Sequence, residues 1–330
     1  MKTRHATWAI TLAFAVLIST STPEAQTVEK VWRVGFVAPM SQAAGLSLLE
    51  SFRQGLRDRG YVEGRSVSIE DRWADGDLAR LPGLVADLVG LRVDVIVAVS
   101  VYGARAARSG AGAIPVVFTL VPDPVMAGLV SSLARPSGGL TGIAAGLGAE
   151  TSPKWVDLVR ETLPTVTRVA ILSNPSNPVS AASLAAMSAA GHAQGLSLRV
   201  FDARDADQLA QALVAISSER PGALIVAPDI LFRTQQSRIL EFAAAQRLPS
   251  VFYAREFAEA GGFLSYGPSG PAMFRQAATF VDRILKGVQP GDLPIEQPEK
   301  FELVVNRKTA NAIGIKIPPP LLQRADQIIE

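Results

Sequence analysis

DVIVAVS, residues 94–100, is apolar at every position from Val95 to Val99. A strand with one wet face alternates apolar and polar side chains. An unbroken run of β-branched and small apolar residues is a strand covered on both faces, as in a parallel sheet flanked by helices. Outward from it, similar runs alternate with helical patterns. RVGFVA (33–38) and SVSIEDRW (66–73) precede it, and PVVFTLV (115–121) and LTGIAA (140–145) follow. Residues 44–60 carry Leu46, Leu49, Phe52 and Leu56 at helical spacing, and residues 78–91 place Leu78, Leu81, Leu84, Leu88 and Leu91 on one helical face. Further helices are expected over 101–109 and 124–134. This alternation predicts a doubly wound α/β sheet.

The same order then starts again, about 130–135 residues later in each case. RVAILSNP (168–175) parallels RVGFVAPM (33–40), SLRVFD (197–202) parallels SVSIED (66–71), ALIVAPD (223–229) parallels DVIVAVS, and LPSVFYA (248–254) parallels IPVVFTL (114–120). A chain of 330 residues has room for two such units. The expected lobe 1 spans 31–143, with 268–290 returning to it. Lobe 2 spans 146–265, with 300–330 adding the strand KFELVVN (300–306) and a terminal helix from Pro318. Gly138-Gly139 and Thr141-Gly142 mark one crossover and GFLSYGP (262–268) the return. A helix at 269–287 follows, and QPGDLPIEQPEK (289–300) reads as a Pro-rich linker.

Residues 1–25 read as a cleaved secretory signal. Lys2 and Arg4 form a basic start, Trp8 to Ile18 an apolar core, and Ala25 ends the segment. The apolar run is about half of the roughly 20 residues a spanning helix needs. The expected protein is therefore periplasmic. Without a single cysteine it has no lipid-anchoring thiol, disulfide or thiolate metal site. A net charge of +2 with no basic stripe gives no nucleic-acid signal. His192, in an Ala-rich helical stretch, is the one histidine beyond the signal, so Ser-His-Asp catalysis and His-based metal sites lack their residues. The expectation is a binding protein rather than an enzyme, with no cofactor.

In open parallel sheets ligands bind outside the carboxyl ends of the strands. After the first strand that edge offers Met40, Ser41 and Gln42; after the third, Ser100, Val101 and Tyr102; after the fourth, Thr119, Asp123 and Pro124. The second unit offers Asn174, Ser176 and Asn177, then Asp229 and Phe232, then Glu256 beside Arg255. Each has an ordinary structural alternative. Ser41 and Ser100 suit helix caps, and Asp123-Pro124 suits a helix start. Asn174-Pro175 and Asn177-Pro178 suit turns. Asp229 suits a cap, Tyr102 and Phe232 suit a core, and Arg255 with Glu256 suits a solvated pair. If the ligand is an amine, Asp229 or Asp123 is its natural partner. Helix N-termini after Met40 and Ser100 suit a carboxylate.

FRQGLRDRGYVEGRSVSIEDRWADGD (52–77), FTLVPDPVMAGLVSSLARPSGGLTGI (118–143), LSNPSNP (172–178), REFAEAGGFLSYGP (255–268) and KFELVVNRKTANAIGIKIPPPLL (300–322) together resemble one family. It is the periplasmic substrate-binding family that includes tryptophan/tyrosine transport components. The resemblance runs from about residue 31 to the end. It implies a type I periplasmic-binding fold, with two doubly wound lobes joined by a three-crossover hinge that closes on ligand. It also implies delivery of a small molecule, an amino acid or small aromatic compound, to an inner-membrane ABC permease with its ATPase, by a monomer. A periplasmic sensor that presents its bound state to a membrane receptor or kinase uses the same fold and is the alternative. The family's Gly-Thr-Pro-Ala-like loop after the third strand is Ser100-Val101-Tyr102-Gly103 here, and a bulky Tyr102 reshapes the pocket.

Overall fold

The buried run around Val97 is the middle of a five-stranded parallel sheet. Its strands are β1 (Trp32–Ala38), β2 (Val67–Trp73), β3 (Val95–Val99), β4 (Val116–Val121) and β5 (Leu140–Ala144), in the order β2-β1-β3-β4-β5. The structure is a computed structural model that describes residues 30–136 and 138–330, so the expected signal at 1–25 lies outside the described residues. Every residue of β3 is buried, because helices cover both faces. On one side are α1 (Gln42–Arg57) and a later helix, and on the other α2 (Leu81–Gly90) and α3 (Ser100–Gly110).

The second sheet repeats the winding. After α4 (Pro153–Thr162) come β6 (Arg168–Ser173), α5 (Ser180–Ala193), β7 (Ser197–Asp202), α6 (Ala206–Glu219), β8 (Ala223–Val226), α7 (Ile230–Thr234), α8 (Gln236–Ala245), β9 (Ser250–Phe252), α9 (Arg255–Glu259) and β10 (Leu264–Pro268). The order β7-β6-β8-β9-β10 reproduces that of the first five strands, again all parallel. Two strands extend the β10 edge. β11 (Phe301–Asn306) runs antiparallel to β10, and β12 (Gln327–Ile329) runs parallel to β11.

Three passages of chain cross between the sheets. The first follows β5 into α4. The second follows β10 into α10 (Gly270–Leu285), which packs on α1 and over β3, β4 and β5 of the first sheet. There Phe274 meets Phe36, with ring centroids 6.0 Å apart. α1 and α10 approach closely at Gly55, where a Cβ would lie 2.6 Å from the Arg275 carbonyl oxygen. The third leads from α10 to β11. Along it residues 293–296 lie against β5: Thr141 Oγ1 donates to the Leu293 carbonyl at 2.7 Å, and the Ala144 N–H donates to that of Glu296 at 2.9 Å. The Pro-rich stretch is thus bound along a sheet edge rather than loose. Last come α11 (Arg307–Ile313) and α12 (Pro319–Arg324).

Some expectations change. Residues 124–134 form a run of turns, not a helix. Asp123 Oδ1 accepts from the Val125 and Met126 N–H groups at 2.9 Å each, so Asp-Pro opens a capped turn that does not propagate. Leu46 is 45% exposed, and Leu48, Leu49, Phe52 and Leu56 carry the buried stripe of α1. Leu78 sits on a single 3₁₀ turn before α2, not on its buried face. No element was expected over 146–166, where α4 forms; its Trp155 is fully buried and donates to the Tyr266 carbonyl at 2.9 Å. β12 carries too short an apolar run to stand out. Among the described residues no helix is long and apolar enough to cross a membrane.

Candidate functional site

In each sheet the strand order reverses direction between the first and third strands of the repeat, β1/β3 and β6/β8. At such a switch point adjacent helices leave on opposite faces, and a crevice opens at the carboxyl end. The two crevices face each other. The cleft between them encloses about 620 Å³ of empty space, part of it open to solvent. Ser100, Val101, Tyr102, Leu120 and Pro122 line it from the first sheet, and Asn177, Pro228, Asp229, Ile230, Arg233, Tyr253, Ala254 and Glu256 from the second. Ala145, Leu147, Pro268 and Gly270, on the first two crossings, close the back.

Asp229 is the centre. It is 6% exposed and accepts four hydrogen bonds. Oδ1 takes one from Asn174 Nδ2 at 3.0 Å and one from the Leu231 N–H at 2.9 Å. Oδ2 takes one from Asn177 Nδ2 at 2.9 Å and one from the Tyr102 hydroxyl at 3.4 Å. Cap and cleft group are therefore the same carboxylate. The two asparagines are fixed in turn: Asn174 Oδ1 accepts from the Ser176 N–H, and Asn177 Nδ2 also donates to the Pro228 carbonyl. Burial pushes the Asp229 carboxyl above the ordinary aspartate value, and the hydrogen bonds from Asn174, Leu231, Asn177 and Tyr102 only partly oppose it. No cation balances this charge among the described residues.

Beside it, Arg233 Nη2 donates to Glu256 Oε1 at 2.8 Å; the Arg233 side chain is 9% exposed and that of Glu256 26%. Burial opposes the charge of Glu256, yet Arg233 outweighs it and holds the carboxyl below its usual value. Tyr253 donates from its hydroxyl to the Asp229 carbonyl at 2.8 Å, and burial pushes its phenol well up. The stacked pair Phe252 and Phe257, centroids 4.6 Å apart, anchors that segment. On the opposite wall Ser100 and Leu120 have φ of 69° and 55°. Such left-handed conformations cost a non-glycine residue on the order of 1–3 kcal/mol and collect at ligand sites.

Of the residues expected from sequence, Ser100, Val101, Tyr102, Asn177, Asp229 and Glu256 line this cleft, and Ser41 and Asn174 line an outer groove that meets it at Asp229. The others stand elsewhere. Met40 and Phe232 are core residues at 0% exposure, since their apolar side chains turn into the lobes. Thr119 is fully buried within β4, its Oγ1 without a hydrogen-bond partner. Gln42 and Ser176 are exposed, while Asp123 and Pro124 belong to the turn after β4 and do not reach the cleft. Glu256 pairs with Arg233 rather than Arg255, which binds Glu259 and Glu302 at 2.9 Å each. Arg233 and Tyr253 escaped sequence reading. Arg233 lies four residues after Asp229, and that one-turn spacing was its only signal. His192 is exposed on α5. Among the described residues no group of three or more His, Cys, Asp and Glu could hold a metal ion.

Comparison with known proteins adds the following. Residues 33–329 match the model of the family described as ABC transporter substrate binding protein. A tyrosine-binding protein of Clostridioides difficile (strain R20291) is 23% identical over 270 residues, 81% of this chain and 76% of that protein. A solved structure of a conserved domain protein from Vibrio cholerae is similar with a TM-score of 0.84 and 27% identity, covering 91% of this chain and 100% of that one. An ABC domain in complex with L-Trp from Streptococcus pneumoniae also gives a TM-score of 0.84, at 23% identity and the same coverage. The fold is an α/β, type I periplasmic-binding fold with parallel sheets.

Proposed function

The chain belongs to the ABC transporter substrate-binding protein family, and from that premise we propose that it captures a small amine-bearing molecule, in the class of amino acids, between its lobes. The expected place is the periplasm, after removal of the signal at 1–25. The lobes close by a hinge through the three crossings and present the bound molecule to an inner-membrane permease and its ATPase, without chemical turnover. Asp229 carries this reading: a buried carboxylate on the cleft wall, held among the described residues by four neutral donors and by no cation. Burying an unpaired charge is costly unless something compensates it. An ammonium group entering the cleft does so with a charge-assisted hydrogen bond.

The test is a thermal-shift screen of the purified protein with the twenty standard amino acids, simple alkyl amines, carboxylic acids and sugars. Ligand at 100 times its Kd adds about 2.7 kcal/mol to stability. Amine-bearing compounds are expected as hits. Asp229→Asn should weaken the best hit roughly 10- to 100-fold, at about 1.4 kcal/mol per tenfold, by calorimetry. Hits confined to sugars or amine-free acids, or affinity unchanged by Asp229→Asn, would overturn the reading.

A further inference from the structure

Among the described residues, Tyr102 is the one side chain that reaches from the first wall to Asp229. It stands in the first turn of α3, at the carboxyl end of β3, half-buried, with its ring in the cleft. The other three donors to Asp229 come from its own wall at 2.9–3.0 Å, whereas the Tyr102 hydroxyl is at 3.4 Å. It is thus the longest of the four bonds and the easiest to replace. Burial pushes its phenol far above the ordinary tyrosine value. It therefore stays a neutral donor and leaves the Asp229 charge uncompensated.

That ring stands between the two walls and fills the part of the cleft next to Asp229. A ligand's aromatic ring bound beside Asp229 would need the space that the phenol takes up. Arg233 spends one donor on Glu256. Its guanidinium has five N–H groups, so others remain for a carboxylate.

We infer that Tyr102 determines the ligand class: its phenol occupies the space where a ligand's aromatic side chain would lie, so the cleft takes a compact aliphatic amino acid and rejects aromatic ones. The ligand's ammonium displaces the Tyr102 hydroxyl from Asp229 Oδ2, and its carboxylate turns to Arg233. The ring stays as the apolar wall against which a short side chain packs. This rests on the capture reading above and narrows it. It also separates this chain from the similar structure that holds L-Trp.

The probe is L-tryptophan, titrated by calorimetry into the wild-type chain, Tyr102→Ala and Tyr102→Phe, with melting curves to show that all three are folded. The expected result is no measurable binding at millimolar tryptophan for the wild type and for Tyr102→Phe, which keeps the ring. Tyr102→Ala should bind at least tenfold more tightly than either. Tryptophan binding equally well to the wild type, binding by Tyr102→Phe as tight as by Tyr102→Ala, or no gain in folded Tyr102→Ala would each overturn the inference. The two readings fail differently. A wild type stabilised by aromatic amino acids keeps the capture reading and removes this one. A wild type stabilised by no solute, beside a Tyr102→Ala variant that binds tryptophan, removes the capture of an amine and keeps Tyr102 as the barrier.

Discussion

The two walls of the cleft share one winding order and differ in chemistry. The wall built on β3 and β4 offers Val101, Leu120, Pro122 and the ring of Tyr102, on a backbone strained at Ser100 and Leu120. The wall built on β6, β8 and β9 offers Asn177, Asp229, Arg233, Tyr253 and Glu256, linked by hydrogen bonds and one ion pair, with Asn174 bracing Asp229 from the outer groove. A repeated topology therefore sets two matching strand edges against each other and leaves each half free to specialise. Here one half is mainly apolar and the other mainly polar. Few polar groups are needed, but each must be satisfied, because an unpaired buried one costs about 1–3 kcal/mol.

The largest expected effect breaks the polar wall. Glu256→Gln removes the partner of a nearly buried guanidinium and should lower stability by about 1–3 kcal/mol, the upper part of the range applying because Arg233 stays charged. Urea melts at neutral pH measure it. The wild-type contribution is present above the ordinary glutamate value and is lost as pH falls through the lowered value in the folded protein. The variant should thus lose its deficit against the wild type in strong acid, and a deficit constant with pH would reassign the pair to packing.

The next effect sharpens the role of Asp229. An ammonium ligand needs the carboxylate ionised, so its affinity should fall about tenfold per pH unit below the Asp229 value of the free protein. Because that value is raised by burial, the fall begins at a higher pH than an ordinary aspartate would give. The titratable neighbours do not cancel it: Tyr102 and Tyr253 are pushed up and stay neutral, and Glu256 is held down and stays ionised. In the ligand-free protein the sign reverses. The raised value makes Asp229 favour folding below the ordinary aspartate value, and that contribution is lost as pH rises through the folded value. Calorimetric titration of the best amino-acid hit from pH 4 to 8 reads the first effect, and a flat profile would contradict the ammonium–carboxylate pairing.

The smallest effect tests the shaped wall. Ser100→Gly removes the steric penalty of a left-handed residue, on the order of 1–2 kcal/mol. It also removes a weak contact, since the Tyr102 N–H lies 3.3 Å from Ser100 Oγ. A net gain of about 1 kcal/mol in stability is expected, read by thermal melting. A loss would mean that the hydroxyl holds the first turn of α3 in place.

How much of this was legible differs between elements for physical reasons. β3 and β2 stood out because an apolar run, or an alternation, over several residues suits a strand and little else. α4 did not, because it lies between the two repeats and no strand of the repeat announces it. Residues 124–134 carry helical spacing, yet Asp123 caps only a turn, and the chain must return to enter β5. At the site, Asp229 and Asn177 were found because they end apolar strands at a predictable edge, while Met40 and Phe232 share that edge and point inward. Position along the strand marks the edge, and only side-chain direction tells cleft from core.

The sequence by itself determined the period: two units of alternating strands and helices, each with its polar residues after the first and third strands. That follows from local chemistry, since burial on both faces demands apolar runs and strand ends demand turns. Only the tertiary structure decided which partners meet. It brought Arg233 to Glu256 rather than Arg255, laid residues 293–296 along β5, and carried the Tyr102 hydroxyl across to Asp229, 127 residues away in the chain. The last of these depends on how the two sheets face each other across the three crossings, and no local pattern of residues encodes that arrangement.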